Sequence, residues 1–377
     1  MEIFNTFFIG GYECADHINR SGERVNLLKE TQHDIHVLED YEALSSIGIK
    51  TVREGICWSA VETSPGVFDF SEVHNRMIAA EKFGIQQIWD LIHFGYPDDI
   101  FPTHPLFCKR FVQLCEAFAL FYKTHSEQTL FVVPINEISF LSWHSGDVRG
   151  TVPFAVNSGW DIKYHLCKAA ILGIKMLKSV DVECRIILVE PLVKIHPTEV
   201  QHDVYEINEN QFQAMDIIAG RICPELGGSE EFLDLLGFNY YWNCQWEIHR
   251  DPLDWPEIQQ KRMPFSELLQ IAYKRYNKPV FISETGHFGD GRVEWIEEIT
   301  KECVLAKKNG VDLKGICIYP ITDRPDWDDL TRYFQCGIWD LDENHNRIPH
   351  TEYIEAVIKA QKSFKKRTIL NQLIDFF

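Results

Sequence analysis

A helix-like stretch running into a short, β-branched apolar segment recurs along this sequence, and that alternation restricts the fold more than any other feature. Three copies mark the joint with glycine: LSSIGIKTVRE, AAEKFGIQQIWDLI and KKNGVDLKGICIYP. Gly48, Gly84 and Gly310 suit the left-handed residue that closes a helix, and the runs after them suit strands buried on both faces. Eight candidate strands emerge, near residues 7–12, 49–55, 85–92, 130–136, 184–190, 235–241, 279–284 and 314–320. Helical patterns fill the gaps; in HDIHVLEDYEALSSIG, Ile35, Leu38 and Leu44 fall near one helical face. With no Ser/Gly/Pro-rich linker between them, the alternations predict an α/β fold, one closed (β/α)8 TIM barrel occupying residues 1–377 as a single domain.

Composition narrows the function. Apolar residues at 45% and charged residues at 25% of 377 suit one large core. A formal charge of −19 disfavours nucleic acid as a partner, since polyanion binding draws on clustered Lys and Arg. The eleven cysteines form no CxxC pair and no zinc-ligand spacing, which reads as free thiols in a reducing compartment. MEIFNTFFIGG has an acidic start and too short an apolar run for a signal peptide. No segment offers the roughly 20 apolar residues of a membrane span. A cytoplasmic protein acting on a neutral substrate, without membrane, metal or cofactor, is the expectation.

Barrel enzymes place their chemistry at the C-terminal ends of the strands. The polar residues there are Glu13, Arg53, His93, Asn136 with Glu137, Glu190, Asn239 with Tyr241, Glu284 and Asp323. Glu137 ends FVVPINE and Glu284 ends PVFISE, on the fourth and seventh strands, so their side chains can meet across the barrel mouth. Glycosidic cleavage needs two such carboxyls, one to protonate the leaving oxygen and one to attack or to activate water. The bland alternative for either is an ion pair, most simply with Arg53. That arginine lies inside an apolar strand and needs an acidic partner there; beside a nucleophilic carboxylate it would keep the carboxylate ionised.

His93, after IWDLI, either donates to a sugar hydroxyl or is an ordinary hydrogen-bonded loop histidine. Trp143, Trp160, Trp242, Trp246 and Trp327 fall in or near mouth loops, where aromatic faces suit sugar rings; Trp327 and Trp242 are the two assigned to a cleft. His33 and His36 of HDIH read as a solvated helix start rather than a metal site. WDDL after Trp327 reads as a turn or a helix start.

These motifs together resemble clan A glycoside hydrolases, and in particular glycoside hydrolase family 1, the β-glucosidase and β-galactosidase group. VREGICW resembles the family's RFSISW, and PGVFDFSEVHNRMIAAEKFGI resembles the helix after it. PINE is similar to TFNEP, LLGFNYY to GLNYY and ISETG to ITENG. The segment from Tyr319 through DWDDLTRYFQCGIWDLD to RIPH resembles the closing WSLLDNFEW…RFGIVYVD…R.P region. The resemblance implies Glu137 as acid/base, Asn136 on the sugar 2-hydroxyl, and Glu284 as nucleophile positioned by Arg53 and Tyr241. It implies His93 and Trp327 on hydroxyls and a ring face. Three positions depart from the family: Glu13 stands for Gln, Tyr319 for Trp, and Asp326 for the Glu that grips the far hydroxyls. A retaining β-glycoside hydrolase acting on a carbohydrate or glycoside is therefore expected, with a transglycosylase or a catalytically silent carbohydrate-binding barrel as alternatives. A metal-dependent barrel hydrolase would need a His/Asp cluster that His93, nearly alone, does not supply.

Overall fold

All eight runs become strands, and each is largely buried on both of its faces. In the computed structural model, which describes residues 2–374 and the side chains of 2–364, they are β1 (Phe8–Gly11), β2 (Thr51–Gly55), β3 (Gln86–Asp90) and β4 (Phe131–Val133). The second half supplies β5 (Arg185–Pro191), β6 (Leu235–Asn239), β7 (Val280–Thr285) and β8 (Leu313–Ile318). Neighbours in sequence pair in parallel, and β1 pairs with both β2 and β8. The ring is closed, which removes the free strand edges of an open sheet.

The crossovers are helical: α1 (His33–Ser46), α2 (Ser71–Phe83), α3 (Phe107–His125), α4 (Ile138–Gly146), α5 (Gly159–Val180), α6 (Phe265–Tyr276), α7 (Gly291–Lys308) and α8 (Thr351–Ile374). Between β5 and β6 the crossover is irregular, with a short helix at Gln213–Ile218. Gly48, Gly84 and Gly310 have φ of 79°, 63° and 90°, the left-handed geometry expected at these helix ends.

Inside the barrel, Ile9, Ile88, Phe131, Val133, Ile187, Val189, Leu235, Phe281 and Cys317 form an apolar floor. Phe4 closes it from below, its ring 5.8 Å from Phe131 and 5.2 Å from Phe281. Two residues further along the same inward faces the side chains turn polar, at Asp90 after Ile88 and Ser283 after Phe281. The site is thus built on a dry, packed support.

Helix α1 departs from the expectation. Ile35 and Leu38 are exposed, and the buried face is His33, Val37, Asp40, Tyr41 and Leu44. His33 is not a solvated helix start: it is fully buried, stacked on Tyr12 at 3.6 Å, with Nδ1 2.7 Å from Asp40 and Nε2 2.9 Å from Glu54. Apolar periodicity misreads this helix because its core contacts are polar groups that find partners. Glu54, facing outward from β2, collects them: it accepts from Tyr41 at 2.7 Å and from Arg76 on α2 at 2.8 Å. Removing one member of a buried ionic set leaves the others uncompensated. Glu54→Ala should therefore cost about 3–5 kcal/mol of unfolding free energy, read as a fall in denaturant midpoint; a loss under about 1 kcal/mol would show that His33 and Arg76 find other partners.

Candidate active site

Strand alternation sends Arg53 inward while Glu54 faces the helices. The Arg53 guanidinium is buried and saturated. Nε and Nη2 fork onto the two Asp90 oxygens at 3.0 and 2.6 Å. Nη2 also donates to Asn136 Oδ1 at 2.7 Å, and Nη1 donates to the Ser283 carbonyl at 3.0 Å and to Glu284 Oε1 at 2.7 Å. Burial alone would weaken the cation, but the charges of Asp90 and Glu284 outweigh it and hold the guanidinium protonated. One side chain so ties β2, β3, β7 and the segment after β4.

Asp90 Oδ2 also receives His93 Nδ1 at 2.8 Å, which aims the other ring nitrogen at the Tyr319 hydroxyl at 3.3 Å and at Asn136 Nδ2 at 3.4 Å. Burial opposes the imidazolium, yet the Asp90 hydrogen bond and charge, with Glu284 and Glu13 behind them, push His93 above the usual histidine range. Because Arg53 holds the Asn136 oxygen, the amide nitrogen is turned toward His93.

The two glutamates meet different surroundings. Glu284, at the end of β7, receives the Arg53 guanidinium on Oε1 and the Tyr241 hydroxyl on Oε2 at 2.8 Å. Glu137 directly follows Asn136 in a left-handed conformation, φ 45° and ψ 61°, and its amide donates to the Val189 carbonyl at 3.0 Å. Its carboxyl receives one neutral donor, Asn239 Nδ2 at 2.7 Å. Ser283 Oγ donates to Asn239 Oδ1 at 2.6 Å, so the amide's orientation is fixed. Gly237 makes room, since a Cβ there would lie 2.6 Å from that hydroxyl. Burial first, and then the negative charge of Glu284, push the Glu137 carboxyl well above the usual range; the Asn239 bond offsets this only in part.

Around this centre Tyr319 lies parallel to His93 with ring centroids 5.8 Å apart, and its hydroxyl donates to Glu13 Oε1 at 3.3 Å. Gly11 on β1 leaves space for the Tyr319 ring. Glu13 is buried and further held by the Ala15 amide at 3.2 Å and by Arg324 Nε at 3.4 Å. Trp327 packs among His17, Phe94 and Phe140, with its indole N–H unpartnered among the described residues.

Nine of the sequence-predicted positions thus converge: Glu13, Arg53, His93, Asn136, Glu137, Asn239, Tyr241, Glu284 and Tyr319. Trp327 stands at their edge. Asp326 engages its own turn instead, accepting the Asp328 amide at 2.8 Å and donating its own amide to Arg332 at 2.7 Å. Asp323 caps the amides of Cys336, Gly337 and Leu341 and is structural. Trp242 packs on His287 and Phe288, while Trp143 and Trp160 are half exposed. Asp90, Ser283 and Arg324 were not singled out from sequence. Asp90 could have been: like Arg53, it is a charge inside an apolar run. Cys14, Asp90 and His93 bring possible ligand atoms within 4.8 Å of one another, but Arg53 occupies both Asp90 oxygens, so this set does not suit a cation.

No protein-family model matches the chain. A curated Beta-glucosidase 1B from Phanerodontia chrysosporium is 24% identical over 151 residues, 33% of this chain and 26% of the relative; the match spans about a quarter of that relative's length. Among solved structures, a β-glucosidase from Thermotoga maritima in complex with deoxynojirimycin superimposes with a TM-score of 0.75 at 16% identity, covering 96% of this chain and 99% of that one. A family 1 β-glucosidase from the same organism gives 0.72 at 15% identity, covering 88% and 87%. The chain has the (β/α)8 barrel fold of these family 1 β-glucosidases.

Proposed function

We propose that the chain, with residues 1–377 acting as one catalytic domain, is a retaining β-glycoside hydrolase. The observation that carries this reading is the unequal setting of two adjacent buried glutamates. Glu284 is held by a cation and a phenol; Glu137 has one neutral donor and a negative neighbour. Two carboxyls in such unequal settings can divide the labour of acid and nucleophile.

In the first step Glu137 delivers its proton to the glycosidic oxygen while a Glu284 oxygen attacks the anomeric carbon, and the aglycone leaves as an alcohol. The product is an ester between the sugar and Glu284. Glu137, now a carboxylate, then takes a proton from water, whose oxygen attacks the anomeric carbon and frees Glu284. Arg53 and Tyr241 orient the nucleophile, and Asn239 orients the acid. In this reading the Asn136 amide meets the sugar 2-hydroxyl, and His93, Tyr319, Glu13 and Trp327 serve the remaining hydroxyls and ring face. The eleven unpaired cysteines fit a cytoplasmic setting.

Glu284→Gln keeps the shape and removes the nucleophile. It should lower kcat by about a thousandfold or more while the chain still folds, as read by circular dichroism, whereas activity within about tenfold of wild type would remove Glu284 from the mechanism.

Sign and direction of the pH dependence follow from the Glu137 setting. A raised carboxyl pKa keeps the acid form present above the usual carboxylate range, so the basic limb of kcat/KM is lost as pH rises through that value. In Glu284→Gln the repelling charge is gone, and the Glu137 pKa, followed by NMR of a labelled carboxyl, should fall; an unchanged or higher value would mean that the two do not share a site.

Glu13, Tyr319 and Asp326 point to a sugar other than plain glucose. Asp326 is shorter by a methylene than the family's glutamate and is tied to its own turn. Simple aryl β-glucosides should be turned over poorly beside decorated or larger glycosides in a kcat/KM screen. Equal efficiency on the plain glucoside would contradict that specificity.

A further inference from the structure

Glu190 is a buried acid outside the central cluster that takes no part in the acid and nucleophile chemistry. Glu190 lies on β5 next to Val189, which faces into the barrel, so Glu190 faces out toward α4 and α5. It is buried, and both of its oxygens accept from the Ser139 amide at the start of the next helix, at 3.2 and 3.1 Å. Ser139 is in the first turn of α4, and α4 begins at the residue after Glu137.

The same strand grips Glu137 from the other side. The Glu137 amide donates to the Val189 carbonyl at 3.0 Å, and Asn136 bridges to Val189. Consecutive residues of β5 therefore hold the backbone on each side of Glu137, one through its own amide and one through the helix start. Glu137 itself is left-handed, a conformation that a residue with a side chain keeps only when its surroundings impose it. Resting on the reading of Glu137 as acid/base, we infer that Glu190 is a positioning residue for it, anchoring through Ser139 the helix start that fixes where the Glu137 carboxyl points.

Glu190 also carries charge behind that carboxyl. The ionisable groups facing it are Glu137 after β4, and Lys163 and Cys167 on α5. Lys163 gives no direct bond, its ammonium being donated to Gln213 at 2.9 Å. Burial with so little compensation raises Glu190 to about 7, although Ser139 and Lys163 pull it down. As pH passes that point Glu190 becomes negative, and its charge disfavours ionisation of Glu137. The acid form of Glu137 then persists further into the alkaline range than Glu284 alone would allow.

Glu190→Gln separates anchor from charge, because the amide oxygen can still accept from Ser139. The test is the kcat/KM profile from about pH 5 to about pH 9 on two aryl glycosides, one with a good and one with a poor leaving group. The expected result is a basic limb displaced to lower pH, with a loss of about threefold or more near pH 8 on the poor leaving group and less on the good one, while the acidic limb stays in place. Glu190→Ala, which also removes the anchor, should lower kcat on the poor leaving group across the whole range, with KM little changed. A Glu190→Gln profile that superimposes on wild type overturns the inference, as does a uniform loss that ignores the leaving group, and the Gln variant decides even if the Ala variant does not fold. Glu137→Gln run in parallel keeps the two readings apart. If that variant retains wild-type rates on the poor leaving group, the assignment of Glu137 fails; if it is inactive there while the Glu190→Gln profile is unchanged, only the present inference fails.

Discussion

A guanidinium enclosed in a barrel interior is stable only if every donor is met by an acceptor with matching charge, and Arg53 imposes that condition on its whole neighbourhood. An unpaired ion there would cost several kcal/mol. The requirement explains why Asp90 stands at the end of an apolar strand, why Asn136 presents its oxygen inward, and why Glu284 is held in one orientation. It also divides the carboxyls. Those that touch Arg53 have their charge balanced; Glu137, which relies on Asn239, does not.

The outward side of the same strands follows the same rule with a different result. Glu54, next to Arg53, gathers His33, Tyr41 and Arg76 beneath the helices, and Arg347 adds two bonds to Asp40 at 2.7 and 3.0 Å. All of these donors are committed, so this cluster joins α1, α2 and the region before α8 to the barrel. The inner cluster keeps unspent capacity in the Trp327 indole and the second Glu137 oxygen. Free hydrogen-bonding capacity of this kind is what a polyol ligand needs.

The barrel was legible in the sequence because strands buried on both faces leave an unbroken apolar signature, and eight of them are hard to arrange otherwise. Their ends were less so. The apolar run near 130–136 reads as strand throughout, but the continuous β4 strand breaks after Val133, since Pro134 has no N–H to offer, and pairing resumes only at the Asn136 bridge to Val189. Helix α1 was read with the wrong face because His33 and Asp40 are buried through partners that lie 7 to 307 residues away, beyond any local pattern. Distance likewise hides Arg324, whose meaning depends on Glu13. What sequence did supply was the set of polar residues at strand ends, since the fold itself brings those together.

Glu13, Tyr319, His93 and Arg324 form a connected set beside the paired glutamates, and the glutamates carry the proposed chemistry. The most direct measurement is to trap the intermediate with an activated 2-fluoroglycoside of the preferred sugar and to map the labelled peptide by mass spectrometry. The account requires one sugar per chain, esterified to Glu284, with turnover restored when an acceptor releases it. A label on another residue, or product formed with inversion at the anomeric carbon and no trapped ester, would contradict it.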